Sequence, residues 1–332
     1  MPQATAAPPE RVQAPARASG SEFTPLLRAV RRQGLLERRP AWYTAEITVN
    51  LLALAAVATA LVRPHDAGHA QTATRRRTNH LIQILHANLL LGMSQEWWNA
   101  KHNRHHASPN HVDKDPDVAP DVLVFAPHQA DGRTGPRGWL TRHQAWLFFP
   151  LTTLEGIALK AYGLRAVFST RERRVTRRAR AVEGGLLVTH LVGYAVLLLT
   201  AMPLGRALLF AAIHQMLLGL HLGLAFAPNH KGMAMPGGHV DETWGHLRRQ
   251  VLTSRNIRGG PLTDWLLGGL NYQIEHHLFP SMPRPHLRLA RPLVRAHCRT
   301  LGVPYTETGA LDSYRQVLDH LHAVGEPLRT AG

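Results

Sequence analysis

Residues 184–205, GGLLVTHLVGYAVLLLTAMPLG, and residues 207–228, ALLFAAIHQMLLGLHLGLAFAP, decide the architecture of this chain. Each stretch runs 22 residues without Asp, Glu, Lys or Arg. A helix needs about 20 apolar residues to cross the hydrocarbon core of a bilayer. Pro203 and Gly205 fall between the two apolar centres, so the pair predicts a tight transmembrane hairpin. The basic run Arg171–Arg180 precedes it, and Lys231 and Arg248–Arg258 follow it. Positive charge gathers on the cytoplasmic side, so both ends of the hairpin, and everything after Lys231, are expected there.

Outward from the hairpin the apolar signal weakens. Ile47–Val62 carries no charge, and extended back to Ala41 it reaches the length of roughly one crossing at the cost of including Glu46. Leu81–Trp98 contains Gln83, His86, Asn88 and Glu96 and reads as a helix against the membrane or inside the protein. Gln144–Leu164, interrupted by Glu155 and Lys160, reads as an interfacial helix. No repeat and no strand-like alternation is visible. The expected fold is all-α: a multi-pass membrane protein with a transmembrane helical hairpin and a cytoplasmic helical cap. Residues 1–40 are expected to form a disordered basic tail, since residues 1–22 are rich in Ala, Pro, Arg and Ser. Residues 41–305 form the membrane domain, with apolar spans at about 41–62, 184–205 and 207–228, and residues 306–332 a C-terminal cytoplasmic helix and tail.

The formal charge of +16 is almost all arginine, the lysines being Lys101, Lys114, Lys160 and Lys231. Such a balance suits nucleic acid, an anionic membrane surface or an acidic protein. The apolar runs favour the membrane, and no zinc-finger spacing or RNA-binding signature supports nucleic acid as a partner. The mean hydropathy of −0.16 conceals the spans, because Arg/Pro/Asp-rich stretches dilute them. A single cysteine, Cys298, allows no internal disulfide. The compositional outlier is histidine, with 22 residues.

Several of these histidines cluster. His65 and His69 stand four apart, a spacing that puts both on one helix face about 5–6 Å from each other. Pairs this close also arise by chance, so this one carries little alone. His102, His105 and His106 stand at i, i+3 and i+4 and share one face, which looks more like a metal-binding wall than a solvated surface. His276 and His277 are adjacent, with Glu275 beside them either as an acceptor that fixes a ligand tautomer or as a solvated carboxylate. Seven imidazoles without thiolate argue against structural zinc, which takes four ligands in a closed site. A neutral, nitrogen-rich set suits two redox-active iron ions.

The segments HDAGH (65–69), WWNAKHNRHHASPN (97–110) followed by DKDPD (113–117), and LNYQIEHHLFPSMPR (270–284) resemble the membrane fatty-acid desaturase family. The glutamine opening the third box resembles its front-end branch, the linoleoyl-CoA-desaturase-like members. The match runs from about Asn79 to Tyr305. The resemblance implies a di-iron centre held by His65, His69, His102, His105, His106, His276 and His277. It also implies His230, in FAPNHKGM (226–233), as a further ligand. Gln273 would stand in for a missing histidine as a weak ligand or a hydrogen-bonding neighbour, and Asp66 and Glu275 would border the ligands. His214 and His221, inside the second span, stay outside this set.

The activity so implied is O2-dependent desaturation of a long-chain acyl-lipid or acyl-CoA, with O2 as co-substrate and external electrons. Arg248, Arg249 and Arg258 are candidates to hold a phosphate-bearing head group. No His-Pro-Gly-Gly haem signature of a fused cytochrome b5 occurs, so a separate ferredoxin or flavin reductase is expected to supply electrons at the cytoplasmic membrane. One departure stands out: members normally cross the membrane twice before the first box, which needs about 40 apolar residues, whereas about 22 precede His65. Either the N-terminus lies outside, or the 41–62 segment does not cross, or a span is lost and the site impaired. Two alternatives therefore stand beside desaturation: a hydroxylase using the same boxes, and a non-catalytic membrane paralogue that binds metal or lipid.

Overall fold

The computed structural model describes residues 21–43, 62–169, 176–237 and 243–330. The 41–62 span expected from the sequence therefore lies almost wholly outside the described residues. Among the described residues the regular secondary structure is helical, as expected, apart from one two-residue parallel pairing of β1 (Asn256–Ile257) with β2 (Glu307–Thr308).

The first helix, α1 (Thr24–Arg32), departs from the expected tail, which was drawn through residue 40. Leu26 and Val30 stand one turn apart on it and are buried, with Leu35 beyond them, against Leu287, Ala290 and Val294. Two apolar positions on one face suffice to dock a short helix whose other face is arginine. Then come α2 (Val62–Gly68) and α3 (Arg76–Ile84), which continues as a π-helical turn over Leu85–Leu91. Gly92 ends that turn at φ +73°, a left-handed conformation costly for other residues. The next helix, α4 (Gln95–Ala107), starts at Ser94, whose hydroxyl accepts the Trp97 N–H. Short helices α5 (Gly135–Arg142), α6 (Gln144–Thr152) and α7 (Glu155–Phe168) follow.

The hairpin is α8 (Arg177–Ala201) and α9 (Leu204–His230), both long and apolar enough to cross a membrane. Only 17% and 22% of their apolar windows are buried in the protein. Leu197, Leu208 and Leu217 are 64%, 63% and 60% exposed, a surface suited to lipid and not to water. On the other side α9 packs closely on the α6–α7 junction, where a Cβ on Gly219 would come within 2.5 Å of the Thr152 carbonyl oxygen. Polar pairs join these elements: Lys160 Nζ donates to Gln215 Oε1 at 2.9 Å, and the Tyr194 hydroxyl meets His214 Nδ1 at 2.7 Å.

Beyond the hairpin lie α10 (His246–Leu252), α11 (Pro261–Leu266), α12 (Gln273–Leu278), α13 (Arg284–Thr300), α14 (Ala310–Val324) and α15 (Glu326–Thr330). The main hydrophobic core gathers α1, α10, α12 and α13 around Val251, Ile274, Met282, Ala290, Val294 and Cys298. Every residue of α12 is buried, so the third histidine box is a core element and not a surface loop.

Candidate metal centre

Four separate pieces of chain deliver histidines to one place: α2, α4, the end of α9 and α12. The potential ligand atoms of His65, His69, His102 and His276 lie within 4.8 Å of one another. Those of His105, His230 and His277 form a second such group. Between the two stands His106, its ring 4.6 Å from His69 and 4.3 Å from His277. The sequence-predicted histidines are thus all brought together, those of the first box included. The His65 ring is 4.7 Å from His276 and 5.1 Å from His102.

Local structure explains the convergence. The i, i+3, i+4 spacing on α4 turns His102, His105 and His106 towards α12 and α2. Trp98 stacks on His102 with centroids 4.3 Å apart and fixes its plane. On α2, a Cβ at Gly68 would meet Gln83 Nε2 at 2.6 Å and the Trp98 ring at 2.8 Å. Glycine is therefore what lets the first box approach α4 so closely.

The hydrogen bonds behind the rings set their tautomers. His105 donates from Nδ1 to Asp115 Oδ2 at 2.9 Å, and Asp117 lies 3.4 Å away. His230 donates from Nδ1 to the Thr253 carbonyl at 3.0 Å. His277 donates from Nδ1 to Gln250 Oε1 at 2.9 Å, and Gln250 is itself oriented by donating its amide to the His106 carbonyl. Carboxylate and carbonyl oxygens only accept, so each of these rings carries a proton on Nδ1 and Nε2 is the atom left to ligate.

In the other half, Nε2 atoms meet Nε2 atoms: His69 with His102 at 2.9 Å, His102 with His106 at 3.1 Å, and His106 with His276 at 3.1 Å. His65 Nε2 and His277 Nε2 are buried without a hydrogen-bond partner. Buried polar atoms ordinarily find partners. Nitrogens that crowd one another, and others left with none, fit a cation that would accept all their lone pairs. Protonation offers no escape from the crowding. Burial pushes His65 down to about 3, and burial together with the neighbouring imidazoles holds His69, His102, His106, His276 and His277 well below the ordinary value. Eight histidines thus offer nitrogen donors in two adjacent groups, with His106 between them and Asp115 and Asp117 beside His105, which fits two transition-metal ions.

The remaining sequence candidates separate. The Gln273 carboxamide lies 2.8 Å from His230 Nε2, at the edge of the second group. Asp66 Oδ1 is 3.5 Å from His65 Nδ1. Glu275 turns away from the histidines: Tyr305 and Asn256 both donate to it at 2.7 Å, and it is fully buried, so neither the solvated nor the ligand-orienting role expected for it is what is seen. Burial raises its carboxyl to about 7 despite those two donors. His214 pairs with Tyr194, and neither it nor His221 belongs to either histidine group. Sequence reasoning did not single out Gln250, Thr253 or Asp115. Asp115 had a signal, since it sits in the DKDPD run beside the second box; Gln250 lay hidden in a stretch read as charged flank.

A sequence model of the family described as fatty acid desaturase matches residues 29–309. The chain is 30% identical over 278 residues to an acyl-lipid (9-3)-desaturase of Physcomitrium patens, covering 79% of this chain and 50% of the relative. It is 31% identical over 276 residues to the delta(6)-fatty-acid desaturase fat-3 of Caenorhabditis elegans, covering 80% and 61%. With delta(8)-fatty-acid desaturase 2 of Arabidopsis thaliana it shares 30% identity over 273 residues, covering 78% and 59%. The matches thus span about half to three-fifths of these relatives' length.

Proposed function

Since the chain belongs to the fatty acid desaturase family, we propose that it is an O2-dependent fatty-acyl desaturase that introduces a cis double bond into a long-chain acyl-lipid or acyl-CoA. One observation carries the reading: histidines far apart in sequence converge into two adjacent nitrogen-donor groups in the buried interior beside a membrane hairpin. Two iron ions would be held by His65, His69, His102, His105, His106, His230, His276 and His277, with Gln273 at the edge.

Removing hydrogen from an unactivated methylene is beyond any side-chain base, and the bound metal pair supplies the O2-activating chemistry that side chains lack. The reaction takes one hydrogen from each of two neighbouring carbons. With two electrons and two protons it reduces O2 to two waters. The chain's own residues prepare for this. Asp115, Thr253 and Gln250 hold His105, His230 and His277 by Nδ1 and so leave Nε2 to ligate, that of His230 beside the Gln273 carboxamide at 2.8 Å. Trp98 holds His102 in plane, and six of the eight histidines are buried from solvent. The exposed apolar hairpin supports a site beside the acyl chains of a bilayer. In this reading the protein sits in the cytoplasmic membrane with the centre and the C-terminus on the cytoplasmic side, and a separate ferredoxin or flavin reductase delivers electrons.

The non-catalytic reading rests on the shortened apolar stretch before His65, almost all of which lies outside the described residues, and it implies an impaired site. The 4.7 Å between the His65 and His276 rings supports a first box that reaches the third. Fatty-acid profiling of a heterologous host supplied with a matched electron donor tests the proposal. It predicts a product 2 mass units lighter per acyl chain. A gain of 16 would identify a hydroxylase instead, and an unchanged profile across common acyl chains would reject turnover.

A further inference from the structure

The arginines singled out in the sequence as head-group contacts are already engaged. Arg248 makes two 3.0 Å bonds to Glu22, Arg249 donates to the Trp244 carbonyl, and Arg258 donates to the Glu307 carbonyl. A different set lines a cleft of about 620 Å³ between the Gly259–Gly260 segment and the outer face of α13. Arg288, Arg291, Arg295 and Arg299 recur there at intervals of three, four and four, so they share one side of the helix. The opposite side, with Leu287, Ala290, Val294 and Cys298, is buried in the core. Two carboxylates lie nearby. Glu307 pairs with Arg291 and Arg295, each at 3.3 Å, and Asp264 is taken up by Asn271 and Tyr272. Four cations against two carboxylates leave the cleft positive, and no carboxylate pairs with Arg288 or Arg299 among the described residues.

We propose that this cleft binds a phosphate ester, with Arg288 and Arg299 as the principal contacts and the Glu307-braced Arg291 and Arg295 between them. Its volume suits a small polyanion, since clefts of a few hundred cubic ångströms hold drug-sized ligands. A protein partner instead needs a surface patch of about 800 Å². Guanidinium groups bind phosphate oxygens through paired hydrogen bonds, and the small Gly259–Gly260 wall lets a ligand approach the backbone. Tyr272, which lines the cleft, immediately precedes Gln273 of α12, so the cleft adjoins the chain segment that leads into the third histidine box. The identity of that ester as the carrier of an acyl substrate rests on the desaturase reading; the anion site does not.

The test is calorimetric binding to the full-length, metal-loaded protein in detergent, with coenzyme A and short-chain phosphatidic acid as probes. Comparison is with the double variant R288Q/R299Q and with R76Q/R77Q, exposed arginines elsewhere. Binding of either probe that weakens at least about tenfold in R288Q/R299Q, stays unchanged in R76Q/R77Q and falls with salt supports the site. Preference for coenzyme A points to a soluble thioester carrier, and preference for phosphatidic acid to a membrane lipid head group. Absence of binding, equal loss in both variants, or binding of an acidic protein in place of either probe overturns it. Melting temperature and iron content are followed in each variant. Intact folding and iron beside lost phosphate binding locates the defect in the cleft, whereas a protein without iron that still binds phosphate would sink the desaturase reading alone.

Discussion

His105 Nδ1 and Asp115 Oδ2 stand 2.9 Å apart, and this contact aims the His105 ring at His230 and His277. Burial alone would raise the Asp115 carboxyl; the hydrogen bond it accepts from His105 outweighs burial and keeps the group below the ordinary range. Asp115 also accepts the backbone N–H of Asn110 at 2.7 Å, so it ties the second box to the loop that follows.

Asp115→Asn keeps the shape and an acceptor but removes the charge that makes His105 a strong donor. Loss of a partner behind a metal ligand costs about 10–100-fold in metal affinity. Iron should fall from two towards one per chain as the His105, His230 and His277 group empties first, with the melting temperature of the metal-free protein little changed. Retention of two irons under the same dialysis would contradict this role for Asp115.

Gly68→Ala should harm the first box without touching a ligand. The added Cβ would press on Gln83 and Trp98 at 2.6 and 2.8 Å, and α2 must retreat or strain. Overpacking of this kind costs about 1–3 kcal/mol. A lower melting temperature together with reduced iron is expected; wild-type values for both would show that α2 has slack.

The metal-free protein should lose stability below neutrality. Above the ordinary imidazole pKa of 6.5 the histidines are neutral both folded and unfolded, and no penalty applies. Below it the unfolded chain binds protons that the buried histidines refuse, so stability falls with pH, for His65 down to about 3. Each such group contributes about 1.4 kcal/mol per pH unit inside its window. Thermal melts between pH 8 and pH 5 should show a steep fall beginning near 6.5, and a flat profile would contradict the burial argument. With metal bound, protons compete for the same nitrogens, so acidification should also release iron.

Tyr305→Phe separates a structural network from the metal site. It removes one of the two side-chain donors to the buried Glu275 carboxylate. Leaving a buried acceptor short of a partner costs about 1–3 kcal/mol. The melting temperature should drop while iron content holds. Loss of iron at unchanged stability would assign Tyr305 to the centre instead.

The parts legible in the sequence were those written locally. The hairpin appeared as two uncharged runs, and the i, i+3, i+4 spacing on α4 already put three imidazoles on one face. What stayed hidden depends on contacts between distant segments. Gln250 braces His277 across 27 residues and Thr253 braces His230 across 23, and neither residue type marks itself as a partner. Arginine masked α1 in the same way, because Leu26 and Val30 become a docking face only once α13 offers Leu287 and Val294. Glu275 misled by adjacency: on a buried helix, the neighbour of a ligand points elsewhere.

Iron per chain after anaerobic purification tests the central claim most directly. Two nitrogen-donor groups with His106 between them predict two iron ions per protein, and a reduced iron content when His106 is replaced by alanine. A metal content near zero in correctly folded protein, or a single ion unaffected by that replacement, would contradict the account.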